Sequence, residues 1–85
     1  MSLRILNIGG PYLASALKRL GHHVITAHPA ADADIPSPHP YSVRQLLSRL
    51  DALGFAPDAL FYCDDGNMPQ LLDPENAPWP SVRYS

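Results

Sequence analysis

Two short stretches hold residue types that can meet a ligand. The first is Gly9-Gly10-Pro11, where an apolar run ends and a helical pattern starts at once. Glycine permits a tight turn and a close approach to the backbone, and the free amides of a helix's first turn favour anions. The second is Asp64-Asp65-Gly66, directly after the apolar run 58–63. Adjacent carboxylates can hold a divalent cation or hydrogen-bond a sugar hydroxyl, and Asp-Gly is equally ordinary turn chemistry. Neighbours on an extended strand point to opposite faces, so the two carboxylates do not converge on one ion, and no metal site is expected. His28 follows the run 23–27 at the same edge and completes the candidate set of Gly9, Gly10, Pro11, His28, Asp64, Asp65 and Gly66.

Of the other histidines, His39 flanks the proline-rich loop together with His28, where both could touch a ligand, while His22 and His23 straddle a helix-to-strand turn at the opposite edge; ordinary surface histidines are the expected reading. Their spacing matches no common zinc pattern. Nothing in the sequence sets a nucleophile beside a base, so no catalytic residue is assigned. The spacing Gly-Gly is not the dinucleotide fingerprint, and the run 23–27 ends without the acidic residue that grips a ribose. A nucleotide-dependent oxidoreductase half is therefore disfavoured. No nicotinamide or other cofactor is expected.

These residues must be positioned by alternating strands and helices. The run 3–8 reads as a strand. Leu13, Ala16, Leu17 and Leu20 then recur at helical spacing over 11–20, with Gly21 to end the helix. Residues 23–27 read as a second strand. Pro29, Pro36, Pro38 and Pro40 mark 28–41 as a loop without regular structure. Ser42 with Gln45 makes a capping box for a second helix over 43–53, striped by Val43, Leu46, Leu47, Leu50 and Leu53 and ended by Gly54. Residues 58–63 read as a third strand, apolar at nearly every position as in a strand buried on both faces. One helical turn is expected at 69–72 and a fourth strand at 81–84.

The fold class expected is α/β: a Rossmann-like parallel sheet of three or four strands in one domain, residues 1–85. The strand order expected is 3-2-1 or 3-2-1-4, with 58–63 as the third strand and both helices on one face. The other face is then bare. That predicts either a fragment of a longer protein or a homodimer through the uncovered sheet face. With net charge −2 and no basic cluster, nucleic acid is not an expected partner. A single cysteine, Cys63, excludes an intrachain disulfide, and the absence of a leader or long apolar run points to a cytoplasmic protein without a membrane span.

Several of these stretches together resemble a family. Arg4-Ile5-Leu6-Asn7-Ile8-Gly9-Gly10-Pro11-Tyr12-Leu13, Leu20-Gly21-His22-His23-Val24, the run from Asp58 to Gly66, and Trp79-Pro80-Ser81-Val82-Arg83-Tyr84 are similar to the N-terminal part of CgeB-like, spore-maturation-type glycosyltransferases of the GT-B class. The resemblance implies two Rossmann-like domains across a cleft, with this chain on the acceptor side. Gly9 and Gly10 would line the cleft, with Asp64 and Asp65 near it. The nucleotide-sugar would be gripped chiefly by the second domain, without metal, so this chain alone would be inactive. The alternative is a small non-enzymatic α/β module for self-association or partner docking.

Overall fold

The computed structural model describes residues 2–9, 11–28, 33–36, 41–63 and 71–84. In chain order the elements are β1 (Arg4–Ile8), α1 (Pro11–Arg19), β2 (His23–His28), β3 (Ile35–Pro36), α2 (Val43–Leu53), β4 (Ala59–Cys63), a 3-10 turn (Pro74–Asn76) and β5 (Ser81–Tyr84). The strands form one parallel sheet in the order β3-β2-β1-β4-β5. The α/β class and the parallel sheet are those the sequence predicts.

The sequence of numerals 3-2-1-4 is present, with a different third strand. Ile35–Pro36, inside the proline-rich stretch, pairs with Ala27 and His28 and takes the third place. Proline is tolerated there because an edge strand has one side with no ladder to feed. Just before this short strand, the Thr26 N–H donates to Asp34 Oδ2 at 2.9 Å. Residues 59–63, expected third and outermost, are instead the fourth strand and lie beside β1. The sheet therefore has five strands among the described residues, not three or four.

This order also moves a helix. Side chains alternate between faces along a strand. Ile5 of β1 and Val24 of β2 pack with Ala14 and Leu17 of α1. Leu6 and Ile8 pack on the other face with Val43, Leu46 and Leu50 of α2. The expectation of two helices on one face is thus corrected: each face carries one. The reason is chirality. α1 steps from β1 to β2, while α2 leads back past β1 to β4, so two right-handed crossovers must use opposite faces. The premise of one wholly bare face falls with it.

Local signals set the helix ends. The Gln45 N–H donates to Ser42 Oγ at 3.1 Å, as the capping box predicts. Gly54 adopts φ 67°, a left-handed value that glycine takes without a Cβ penalty. Its N–H donates to Asp51 O at 3.1 Å and that of Phe55 to Leu50 O at 3.0 Å, a Schellman pair. The same pair closes α1, from Gly21 to Lys18 O at 3.0 Å and from His22 to Leu17 O at 3.2 Å.

The stripe expected on α1 is split. Leu17 and Ala14 are buried, whereas Ala16 is exposed and Leu20, just past the helix, is 72% exposed. On α2, Val43, Leu46 and Leu50 face the core, while Leu47 and Leu53 are exposed.

The connection from β4 to β5 has no long helix among its described residues. Leu71, Ala77 and Trp79 pack on the α2 side of the core instead. Leu71 forms a parallel bridge with Tyr41, and the Leu72 N–H donates to Tyr41 O at 2.8 Å. The helical turn expected at 69–72 is corrected: Leu71 and Leu72 are not helical, and the turn lies at Pro74–Asn76. Residues 69 and 70 lie outside the described residues.

Candidate ligand crevice at the carboxyl edge

Strand order reverses at β1. The chain leaves β1 toward β2 on one side and later returns to β4 on the other. In open α/β sheets such a reversal opens a crevice beyond the carboxyl ends of the two central strands, because the loops there diverge to opposite faces. Three strand ends stand side by side at this edge. Ile8 is in register with Ala27 of β2 and with Tyr62 of β4. One position further along their strands come Gly9 after β1, His28 at the end of β2 and Cys63 at the end of β4, with β1 between the other two.

Gly9 is buried and has φ 151°, where an L side chain is strained. Its N–H donates to Ala27 O at 3.2 Å, so it extends the β1 ladder by one bond before the chain turns. α1 then begins at Pro11, where the missing proline N–H costs nothing. His28 is half-buried at the end of β2. Of the sequence-derived set, the structure thus brings Gly9, Pro11 and His28 to one edge. Gly10, Asp64, Asp65 and Gly66 lie outside the described residues, as does His39. Among the described residues, no three histidine, cysteine, aspartate or glutamate side chains gather as a metal would need.

His22 and His23 lie at the amino edge, as expected. There the Leu3 N–H donates to the His22 Nδ1 at 3.1 Å, and the His23 N–H donates to Leu3 O at 2.9 Å. These are structural bonds that fasten β1 to β2.

Two polar residues near the crevice were not singled out by the sequence. Asn7 is fully buried, one strand position before Ile8, on the α1 face. It breaks the apolar run 3–8, which was the available signal. Tyr41 is fully buried on the α2 side. Its hydroxyl donates to Ile35 O, with His28 O at 3.4 Å as a second acceptor. Burial raises the phenol above its ordinary range. Its neighbours in sequence, Pro40 and Ser42, read as loop and cap and hid it.

Behind the crevice, Asp73 Oδ1 accepts from the Val43 N–H at 2.8 Å. The carboxylate sits at the positive end of the α2 dipole, thirty residues away in sequence. It pins the chain after β4 to the start of α2. No family model, curated protein or solved structure matches this chain.

Proposed function

We propose that this chain is the acceptor-side Rossmann-like half of a two-domain, GT-B-type glycosyltransferase that uses a nucleotide-sugar. The observation that supports it is the reversal of strand order between β1 and β4, with Gly9 ending β1 and α1 starting at Pro11 beside it. A glycine with positive φ brings backbone, rather than a side chain, to the crevice wall. A sugar or phosphate can then approach the peptide amides closely. The half-buried His28 supplies the neighbouring polar group.

The chain supplies one wall and no catalytic group, so it performs no turnover alone. It takes no metal or redox cofactor, and its partners are a sugar acceptor or nucleotide-sugar rather than nucleic acid. A cytoplasmic setting goes with this reading. Among the described residues, no helix is long and apolar enough to cross a membrane.

Backbone NMR with UDP-glucose, GDP-mannose and short oligosaccharides tests the proposal. The expected result is weak, saturable shifts at Gly9, His28 and the first turn of α1, with no product formed. Shifts confined to Leu3, His22 and Asp58 at the amino edge would overturn it, as would turnover by the chain alone.

A further inference from the structure

The two faces of the sheet are covered unequally. The α2 face carries α2 together with Leu71, Ala77 and Trp79. Among the described residues, the α1 face is covered by α1, chiefly over β1 and β2 through Ile5, Val24, Ala14 and Leu17, with Phe61 of β4 at the border of that cluster. Register places Ala59 and Phe61 of β4 and Val82 of β5 on that same face. Ala59 and Phe61 are partly exposed and Val82 is 46% exposed. Two strands span about 10 Å, which is the width of one helix.

α1 itself borders this strip with a second apolar stripe. Tyr12 is 89% exposed, Ala16 is exposed and Leu20 is 72% exposed, at i, i+4 and i+8. Handedness fixes which way the stripe looks. A right-handed crossover runs α1 antiparallel to the strands, with β2 on one flank and β4 on the other. The right-handed winding of the helix then turns Ala14 toward the β2 flank and Leu13, Ala16 and Leu20 toward the β4 flank. Leu13 and Phe61 do pack against the same cluster. The result is an apolar slot with a floor from β4 and β5 and a wall from α1.

We infer that this slot receives α1 of a second copy of the chain. A two-fold axis parallel to the strands places each α1 in the other's slot. The two helices then run parallel, touching through Tyr12, Ala16 and Leu20, with Ala16 small enough to let the axes approach. The choice of occupant follows from self-complementarity. Each chain offers one helix-wide slot and one spare helix stripe, so a two-fold pair leaves neither over. α2 has no such stripe: its exposed Leu47 and Leu53 are six residues apart, about 240° around the helix. The carboxyl-edge crevice stays open in the pair, so this assembly is independent of the proposed function. A floor of about 10 by 16 Å is small beside the ~800 Å² per partner of a stable dimer, so the pair forms in the micromolar range or weaker.

Sedimentation equilibrium from about 10 to 500 μM measures it. The expected result is a monomer–dimer equilibrium. Leu20→Glu and Val82→Glu each weaken it tenfold or more, and Leu53→Glu on the other face leaves it unchanged. Ala16→Cys in a Cys63→Ser background is expected to give a cross-linked dimer on mild oxidation. Circular dichroism melts confirm that each variant folds. If Val82→Glu does not fold, the Leu20 and Ala16 variants decide. A monomer throughout, a dimer that resists Leu20→Glu, or no cross-link at Ala16→Cys would overturn the inference.

Discussion

Removing the Asp73 carboxylate is expected to cost more stability than removing the local cap of the same helix. The first-turn amides of α2 have no partners within the helix. Ser42 Oγ serves the Gln45 N–H at 3.1 Å in an exposed position. Asp73 Oδ1 serves the Val43 N–H at 2.8 Å in a partly buried one, and Val43 is only 3% exposed. Losing an exposed N-cap typically costs about 1 kcal/mol. Losing a hydrogen bond to a charged acceptor costs about 1.5–3 kcal/mol, and the orphaned amide has little access to water. The dipole contact adds about 0.3–1 kcal/mol. Asp73→Ala is therefore expected to destabilise by about 2–3 kcal/mol, and Ser42→Ala by about 1. In a domain of this size that is a fall in Tm of roughly 8–24 °C against 4–8 °C. Asp73→Asn keeps an acceptor without the charge, and should recover half or more of the loss. Urea titration and thermal melts followed by circular dichroism give the values, and hydrogen exchange reads the Val43 amide directly. If Asp73→Ala cost less than Ser42→Ala, or if Asn rescued nothing, the non-local cap would be dismissed.

Three further outcomes are expected. Gly9→Val forces a β-branched residue to φ 151° at a buried site, and should lower stability by at least 1–3 kcal/mol in chemical denaturation; a neutral effect would contradict the turn geometry. Leu6→Ala, fully buried between sheet and α2, should cost about 2–5 kcal/mol, whereas Leu20→Ala should be nearly neutral in the monomer, which separates the inward from the outward stripe. Tyr41 is held neutral in the fold above its ordinary pKa, so the unfolded chain releases its proton first as pH rises. The stability this residue contributes is present below about pH 10 and falls above it, by up to about 1.4 kcal/mol per pH unit, and the slope should flatten in Tyr41→Phe.

The helix ends and the edge that carries the candidate site were legible because their causes are local. Ser42 with Gln45, Gly54 and Gly21 each act through one or two neighbouring peptide groups, and each is found where its type predicts. Strand order was harder, because it depends on what covers both faces. The run 58–63 carried the decisive signal in its continuous apolar character. Such a run is expected inside a sheet rather than at an edge, and β4 does lie between β1 and β5, although of its described side chains only Leu60 is fully buried and Ala59 and Phe61 stay partly exposed. β3 was hidden because two residues with a proline carry no strand pattern. The α1 stripe misled because Ala16 and Ala14 are alike in type. Only the fold shows that Ala14 meets Val24 and Ile5 while Ala16 looks outward.

The two edges of the sheet are built for different work. At the amino edge the backbone is closed by side chains: the Arg4 N–H donates to Asp58 Oδ2 at 2.9 Å, the Asp58 N–H to Arg4 O at 2.7 Å, and Ser2 Oγ to Gly21 O at 3.0 Å. The Arg4–Asp58 ion pair itself, 3.7 Å apart with both side chains about half exposed, adds little beyond these bonds. The Arg4–Asp58 bonds fasten the start of β1 to the start of the β4 segment. At the carboxyl edge the central strand ends instead in a glycine, and α1 starts with a proline that has no N–H to satisfy. The helices diverge to opposite faces from that point. The contrast is one of backbone shape: a glycine at φ 151° ends the central strand at this edge, while at the other the strand start is bound by Asp58 and His22.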